Sequence, residues 1–317
     1  MDVVFLGATQ FSKEMLLCLI QHGIKVKAVF SIPEEFNISY NSERMKNYNY
    51  ADLRSVSAKH NIDYFEVDSV PGKRLMDYRE IFERLKPDLI LVLGWYYMIP
   101  EKIRMSAKYG AWGIHASLLP RYAGNAPLVW AIVNGEKRTG VTLFKLGNGV
   151  DDGDIILQRA FPIAFKDTIS NVYEKATIYS KEMIVGVLDN IQNITFTPQD
   201  KTKIEVYPPR THRDGVIDLK KYAVEIYNYI RAQTKPYPGA FSYINGKKII
   251  FWKVRYVENV KYAENLSLKE IFKYRGKIYV KLRNGFLEII EINYNGKEGE
   301  AASIFLSENL SGNKIGS

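Results

Sequence analysis

The chain opens on an unbroken apolar run, DVVFLGA from Asp2 to Ala8, which predicts a compact buried strand ending at Gly7. Met15, Leu16, Leu19 and Ile20 follow at helical spacing and make one apolar stripe, with Ser12 placed to cap that helix and Gly23 to stop it. Lys25 to Phe30 is the next strand, so the opening is a strand–helix–strand unit with a right-handed crossover expected. The same alternation continues. It predicts a helix over Tyr50 to His60, a strand near Asp63 to Glu66, a helix within Val70 to Leu85, and a buried strand from Leu89 to Gly94. Trp95 to Pro100 is an aromatic-rich loop, with Pro100 suited to the first position of a helix. Strands over Trp112 to Ala116 and Val141 to Leu146 flank a helix at Pro127 to Asn134, and Ile155 to Ala160 adds another strand. A long helix from Ser170 to Ile191 turns Val172, Ala176, Ile178, Met183, Ile184 and Leu188 to one side. Ser31 to Asn49 is polar and lacks periodicity. An ordered flap over a cleft and a mobile insertion both fit it.

The pattern changes at Thr197 to Arg213, where polar residues and Pro208-Pro209 mark a linker. Beyond it, a helix over Leu219 to Ala232 is broken by Pro236-Tyr237-Pro238-Gly239. Two hairpins then turn at Asn245-Gly246 and Asn284-Gly285. The expected architecture is an α/β, parallel-sheet domain over residues 1–203 and a smaller β-rich domain over residues 204–317. The final SGNKIGS is expected to be loose.

Composition narrows the class. At 317 residues, 46% hydrophobic and 25% charged, this is the profile of a globular chain large enough for two cores. No segment reads as a signal peptide or a membrane span, and the one cysteine, Cys18, leaves neither an internal disulfide nor a thiolate metal site. These features fit a reducing, cytoplasmic setting. The net charge is +9, and from Glu205 onward 19 Lys/Arg face 12 Asp/Glu, so most of the excess lies in the second domain. Such a domain suits RNA or a diphosphate, or serves solubility alone. The loop after the first strand, Gly7-Ala8-Thr9-Gln10-Phe11, lacks the GxGxxG spacing that lets a backbone approach a dinucleotide pyrophosphate.

The richest chemistry lies between Gly110 and Asp154. The strand at 112–116 delivers His115, one of four histidines, to the carboxyl end of the sheet, where open α/β sheets bind ligands. Histidine suits proton transfer near neutral pH, and the run Asp151-Asp152-Gly153-Asp154 supplies carboxylates to orient it. A capped surface histidine beside an ordinary acidic turn is the plainer reading. Between them, LLPRYAGN offers Arg121 as a cation for phosphate or carboxylate. The 95–100 aromatics read either as core or as a wall and backbone edge for a flat heterocycle.

HASLLPRYAGNAP, NGEKRTGVTLF and DDGDIILQ resemble the folate-dependent formyltransferases, a family that includes methionyl-tRNA formyltransferase and the sugar-nucleotide amine N-formyltransferases. VFLGA, PDLILVLGWYYMIP, RTHRDGVIDL and PYPGAFSYINGKKIIFWKVR extend the likeness over nearly the whole chain. The resemblance implies a Rossmann-like catalytic domain, an OB-like C-terminal domain, and 10-formyltetrahydrofolate as the consumed formyl donor. It places the catalytic pair on His115 and Asp151 and the folate contacts on Tyr96, Tyr97, Met98, Ile99, Asp151 and Asp154, with no metal. Arg121, Arg210 and Arg213 become the cations for an anionic acceptor. The family's third residue, an Asn two before the His, is Gly113 here, so Asn125 is an auxiliary candidate for its role. RTHRDGVIDL and PYPGAFSY look more like the enzyme that formylates UDP-4-amino-4-deoxy-L-arabinose than like the tRNA enzyme. The expected acceptor is therefore a nucleotide-linked amino sugar. Methionyl-tRNA, or an inactive folate- or partner-binding relative, is the alternative, and a homodimer is left open.

Overall fold

The computed structural model describes all residues except 39, 40, 69–72, 262, 264 and 317. It divides into two compact units, one of Met1–Gly124, Thr139–Phe161 and Glu174–Tyr207, the other of Asn125–Arg138, Pro162–Tyr173 and Pro208–Ser317.

The first unit begins with β1 (Asp2–Leu6), α1 (Gln10–Gln21) and β2 (Lys25–Ser31), then the antiparallel pair β3 (Glu35–Ile38) and β4 (Asn41–Lys46). It continues with α2 (Arg54–Lys59), β5 (Asp63–Glu66), α3 (Arg79–Leu85), β6 (Leu89–Val92), α4 (Glu101–Arg104), β7 (Ala111–His115) and β8 (Ala123–Gly124). After α5 (Pro127–Val133), which belongs to the second unit, come β9 (Arg138–Lys145), β10 (Ile155–Pro162), α6 (Ile169–Asp189, whose first residues through Tyr173 also belong to the second unit) and β11 (Val206–Tyr207). Seven strands form one sheet in the order β10-β9-β7-β6-β1-β2-β5. The pairings from β7 through β6, β1 and β2 to β5 are parallel, whereas β9 runs antiparallel to β7. Strands β1 and β6 are apolar at almost every position because the sheet is buried on both faces. Val4, Leu6, Ile90 and Val92 pack with Phe30 and Phe82 in one core cluster.

The second unit carries α7 (Ala223–Arg231) and an antiparallel sheet of β12 (Ala240–Ile244), β13 (Lys247–Val257), β14 (Ile271–Tyr274), β15 (Lys277–Leu282), β16 (Gly285–Tyr294) and β17 (Lys297–Glu300), followed by α8 (Ala301–Ser307). Both Asn-Gly turns fall where the pattern places them, between β12 and β13 and between β15 and β16, with Asn245 and Asn284 at φ of 52° and 56°. Ile226 and Ile230 of α7 bury against Ile249, Phe251, Leu287 and Ile289 of the sheet.

Several elements differ from the sequence reading. Thr9, not Ser12, caps α1: its Oγ1 accepts from the Ser12 N–H, while the Ser12 hydroxyl donates to the Leu93 carbonyl at 2.5 Å. The expected helix over Tyr50 to His60 starts only at Arg54, because Tyr50 bridges Thr9 and the Asp52 carboxylate turns the chain by accepting from the Arg54 N–H. The helix expected within Val70 to Leu85 is a 3-10 turn over Leu75–Tyr78 leading into α3, and Val70 to Gly72 lie outside the described residues. Pro100 is the cap of α4 rather than its first residue, and the helix expected from Leu219 starts at Ala223.

The aperiodic stretch 31–49 contains the antiparallel β3–β4 pair, and Phe36 anchors it. Its ring lies 4.9 Å from that of Tyr96 and 5.7 Å from that of Tyr97. The buried Asn47 amide donates to the Ala8 carbonyl at 2.9 Å and accepts from the Tyr96 hydroxyl at 2.9 Å, tying the β3–β4 pair to the loop after β1 and to the aromatic loop.

Candidate active site

The site is built from the carboxyl end of β7 and the two loops beside it. His115 ends the strand and is 9% exposed. Its Nε2 donates to the Tyr122 carbonyl at 2.7 Å, and its Nδ1 lies 3.4 Å from Asp151 Oδ2. A carbonyl only accepts, so the proton on Nε2 is assigned by this contact, and a ring protonated on both nitrogens meets an acceptor at each. The same Asp151 oxygen accepts from the Gly124 N–H at 2.8 Å. Histidine, carboxylate and the 122–124 backbone thus close a ring of contacts across 36 residues of sequence.

Backbone conformations that side chains rarely adopt cluster here. Tyr122 and Asp151 stand at φ of 57° and 50°, and Gly124 at 90°. They persist because neighbouring polar groups hold both loops. Thr142 donates to the Ser117 carbonyl at 2.6 Å and accepts from the Leu119 N–H at 3.2 Å, while Gln158 donates to the Leu119 carbonyl at 2.8 Å. Val206 and Tyr207 pair in parallel with Ala123 and Gly124, and the Tyr207 ring stacks on that of Tyr122 at 4.8 Å. On the acidic loop, the Gln199 side-chain amide donates to the carbonyls of Asp151 and Gly153, each at 2.7 Å. Thr142, Gln158 and Gln199 were not singled out by sequence reasoning, since isolated polar residues in strands and linkers carry no local signature.

Gly113 sits two residues before His115 on the same face of β7, opposite Phe144 of β9. A Cβ there would lie 3.0 Å from Leu146 Cδ2 and 3.2 Å from Phe144 Cε1. Phe144 also packs with buried Leu119 and Ala123 and with Leu146, Ile155 and Ile204. An apolar wall therefore occupies the space beside the histidine that a donor side chain would need.

The remaining predicted residues fall in several places. Tyr96 and Tyr97 turn their rings into the cluster with Phe36 and Ala8, and the Tyr97 hydroxyl donates to the Asn37 carbonyl at 2.9 Å. Ile99 is buried and its carbonyl accepts from Arg104 at 3.1 Å, whereas Met98 is 60% exposed. The Trp95 indole nitrogen is buried with no hydrogen-bond partner among the described residues. Asp154 accepts from the Lys145 N–H through its carbonyl at 2.9 Å. Arg121 is exposed with its guanidinium 5.4 Å from the Tyr122 ring centroid. Asn125 is half-buried and belongs to the second unit, as do Arg210 and Arg213. Arg210 lies 4.8 Å over the Trp130 ring and donates to the Asp214 carbonyl at 2.8 Å and to Gln233 at 2.7 Å; Arg213 is exposed.

Comparison with known proteins gives this geometry its family. Residues 1–188 match the family model for formyl transferase, and residues 210–309 match that for the formyl transferase C-terminal domain. The chain is 31% identical over 321 residues to the methionyl-tRNA formyltransferase of Alkaliphilus oremlandii, covering 100% of both. It is 36% identical over 240 residues to the bifunctional polymyxin resistance protein ArnA of Wigglesworthia glossinidia brevipalpis, covering 75% of this chain and 35% of that one. Its fold is similar to an N-formyltransferase from Helicobacter canadensis solved with folinic acid and dTDP-3-aminofucose, at a TM-score of 0.64 and 22% identity over 90% of this chain and 97% of the other. The two matched regions together span both units, and the chain belongs to the formyl transferase family.

Proposed function

We propose that this chain transfers a formyl group from 10-formyltetrahydrofolate to the α-amino group of methionyl-tRNA. Folate-dependent formyl transfer is the reaction of the family. The acceptor is our reading, and the observation that carries it is the 31% identity to a methionyl-tRNA formyltransferase from end to end of both chains. The positive excess after Glu205 supports it, since an RNA acceptor is drawn by cations whatever its sequence. On this reading residues 1–203 carry the chemistry and 204–317 form the smaller domain.

The donor supplies a formyl carbon bound to nitrogen. The residues present fit such a heterocycle: the 96–99 backbone edge lies beside an apolar cluster, and the Trp95 indole N–H is a buried donor with no partner among the described residues. Tyr96, Tyr97, Met98 and Ile99 are assigned to that edge, and Asp151 and Asp154 of the acidic loop to further folate contacts. As the amine nitrogen bonds to the formyl carbon it must lose a proton, and the carbonyl oxygen gains negative charge. On this reading the neutral His115 ring leaves the Tyr122 carbonyl with its proton carried on Nδ1, beside Asp151, so that the freed Nε2 takes the amine proton and returns it to the departing folate nitrogen. Asp151 Oδ2, 3.4 Å from Nδ1, then accepts from that nitrogen and holds the tautomer and orientation of the ring. With Gly113 offering no donor, the developing oxyanion falls to the protonated ring or to Asn125. Arg121, Arg210 and Arg213 are assigned to acceptor phosphates; Arg210 serves this only if it leaves Trp130 and Gln233.

A second reading makes the acceptor a nucleotide-linked amino sugar. The RTHRDGVIDL and PYPGAFSY stretches favour it, since they look more like the enzyme that formylates UDP-4-amino-4-deoxy-L-arabinose than like the tRNA enzyme. Purified protein with 10-formyltetrahydrofolate, charged initiator tRNA and a panel of dTDP-, UDP- and GDP-linked amino sugars separates the two. Formylmethionyl-tRNA as the efficient product supports the first; turnover confined to a sugar nucleotide overturns it in favour of the second.

A further inference from the structure

We propose that Gln199 is a positioning residue for the Asp151 carboxylate, acting through the backbone of the acidic loop. The proposal rests on the assignment of His115 and Asp151 as the proton-handling pair. Gln199 is 8% exposed, and its Nε2 donates to two carbonyls of one turn, Asp151 and Gly153, each at 2.7 Å. Its Oε1 is buried with no hydrogen-bond partner among the described residues, so the two N–H bonds alone orient the amide. The flipped orientation would set an oxygen against two carbonyl oxygens, which excludes it. Asp151 stands at φ of 50°, a conformation that an unsupported aspartate leaves readily, and the bonded carbonyl is its own.

The segment that brings Gln199 in is anchored on both sides. Thr197 exchanges two backbone bonds of 2.8 Å with Ile155, at the neck of the acidic loop. Further along, Val206 and Tyr207 pair with Ala123 and Gly124, and Gly124 is the residue whose N–H also binds Asp151. A Cβ on Gly153 would overlap the Lys145 carbonyl, so the loop has little room to adjust by itself. One segment therefore sets the carboxylate loop through Gln199 and the facing loop through its strand pair. Gln199 does not touch substrate. It fixes where Oδ2 stands relative to the ring, and a displacement near 1 Å at such a pair costs about a hundredfold in rate.

The test compares Gln199→Leu and Gln199→Glu with Asp151→Asn in the full chain. The readouts are kcat and KM for formyl transfer, thermal melting, and the imidazole NMR signals of His115 in histidine-labelled protein. The proposal expects Gln199→Leu to lower kcat roughly ten- to a hundredfold with KM within about twofold. Its His115 signals should move the same way as in Asp151→Asn. In Gln199→Glu the introduced carboxyl donates while protonated and repels both carbonyls once ionised, so activity should fall with rising pH more steeply than in the wild type. That profile decides the matter if the leucine variant fails to fold. Wild-type kcat and His115 signals in Gln199→Leu, or an unchanged pH profile in Gln199→Glu, beside an impaired Asp151→Asn, overturn the proposal. If Asp151→Asn itself behaves as wild type, the pair assignment fails and the role of Gln199 falls with it.

Discussion

Replacing Asp151 by Asn removes one charge and keeps the shape. The carboxylate oxygen stands 3.4 Å from His115 Nδ1, with the two side chains 21% and 10% exposed. At that separation a unit charge pair is worth about 1 kcal/mol at the dielectric of water and about 5 kcal/mol at an effective constant near 20. The ring carries full positive charge only while it holds the amine proton. Losing the carboxylate should therefore slow the chemical step by between tenfold and a few thousandfold, at roughly 1.4 kcal/mol per decade. The Gly124 N–H still finds an acceptor in the Asn Oδ1, so the melting temperature should move by less than about 4 °C. Single-turnover formyl transfer, with scanning calorimetry as the control for folding, reads both quantities. Asp151→Ala should lose stability as well, because it strips the Gly124 contact. A folded Asp151→Asn variant with wild-type turnover would refute the assignment.

Gly113→Asn should destabilise the chain by about 1–3 kcal/mol, because its Cβ arrives 3.0 Å from Leu146 and 3.2 Å from Phe144. An unchanged melting temperature would mean that the wall yields freely. Arg210→Ala removes two hydrogen bonds and a stacked cation and should cost about 2–4 kcal/mol, while exposed Arg213→Ala should stay within about 0.5 kcal/mol in denaturant titrations. A rise in KM without loss of stability in Arg210→Ala would instead make it a phosphate ligand. The Lys27 ammonium, 2.7 Å from Asp2, holds that carboxyl below its usual range through a side-chain hydrogen bond. A depressed carboxylate contributes above its unfolded value of 3.8 and loses that contribution as pH falls through the lower folded value. Asp2→Asn should therefore cost under about 1 kcal/mol at neutral pH, with the gap to wild type closing in acid. A gap that persists there contradicts the pairing.

Where a local rule determines structure, the chain was legible. The Asn-Gly hairpins, the apolar parallel strands and the delivery of His115 to a strand end follow from turn chemistry, burial and side-chain alternation. The nearness of Asp151 is less local, because it depends on β9 running back beside β7. Periodicity left 31–49 open between a flap and a mobile insertion: the β3–β4 pair is held by Ile32, Phe36 and Met45 in one apolar cluster and by one buried amide, Asn47, all through partners remote in sequence. Thr142, Gln158 and Gln199 escaped for the same reason, since each acts on backbone carbonyls remote in sequence. Arg210 read as a free cation, yet its partners Trp130 and Gln233 come from segments that no spacing rule connects to it.

The most direct test follows labelled formyl from 10-formyltetrahydrofolate to methionyl-tRNA under single-turnover conditions, with wild-type protein and a folded His115→Ala variant side by side. The account predicts rapid formation of formylmethionyl-tRNA by the wild type and a loss of at least about a hundredfold in the variant. Equal rates in the two proteins would contradict it.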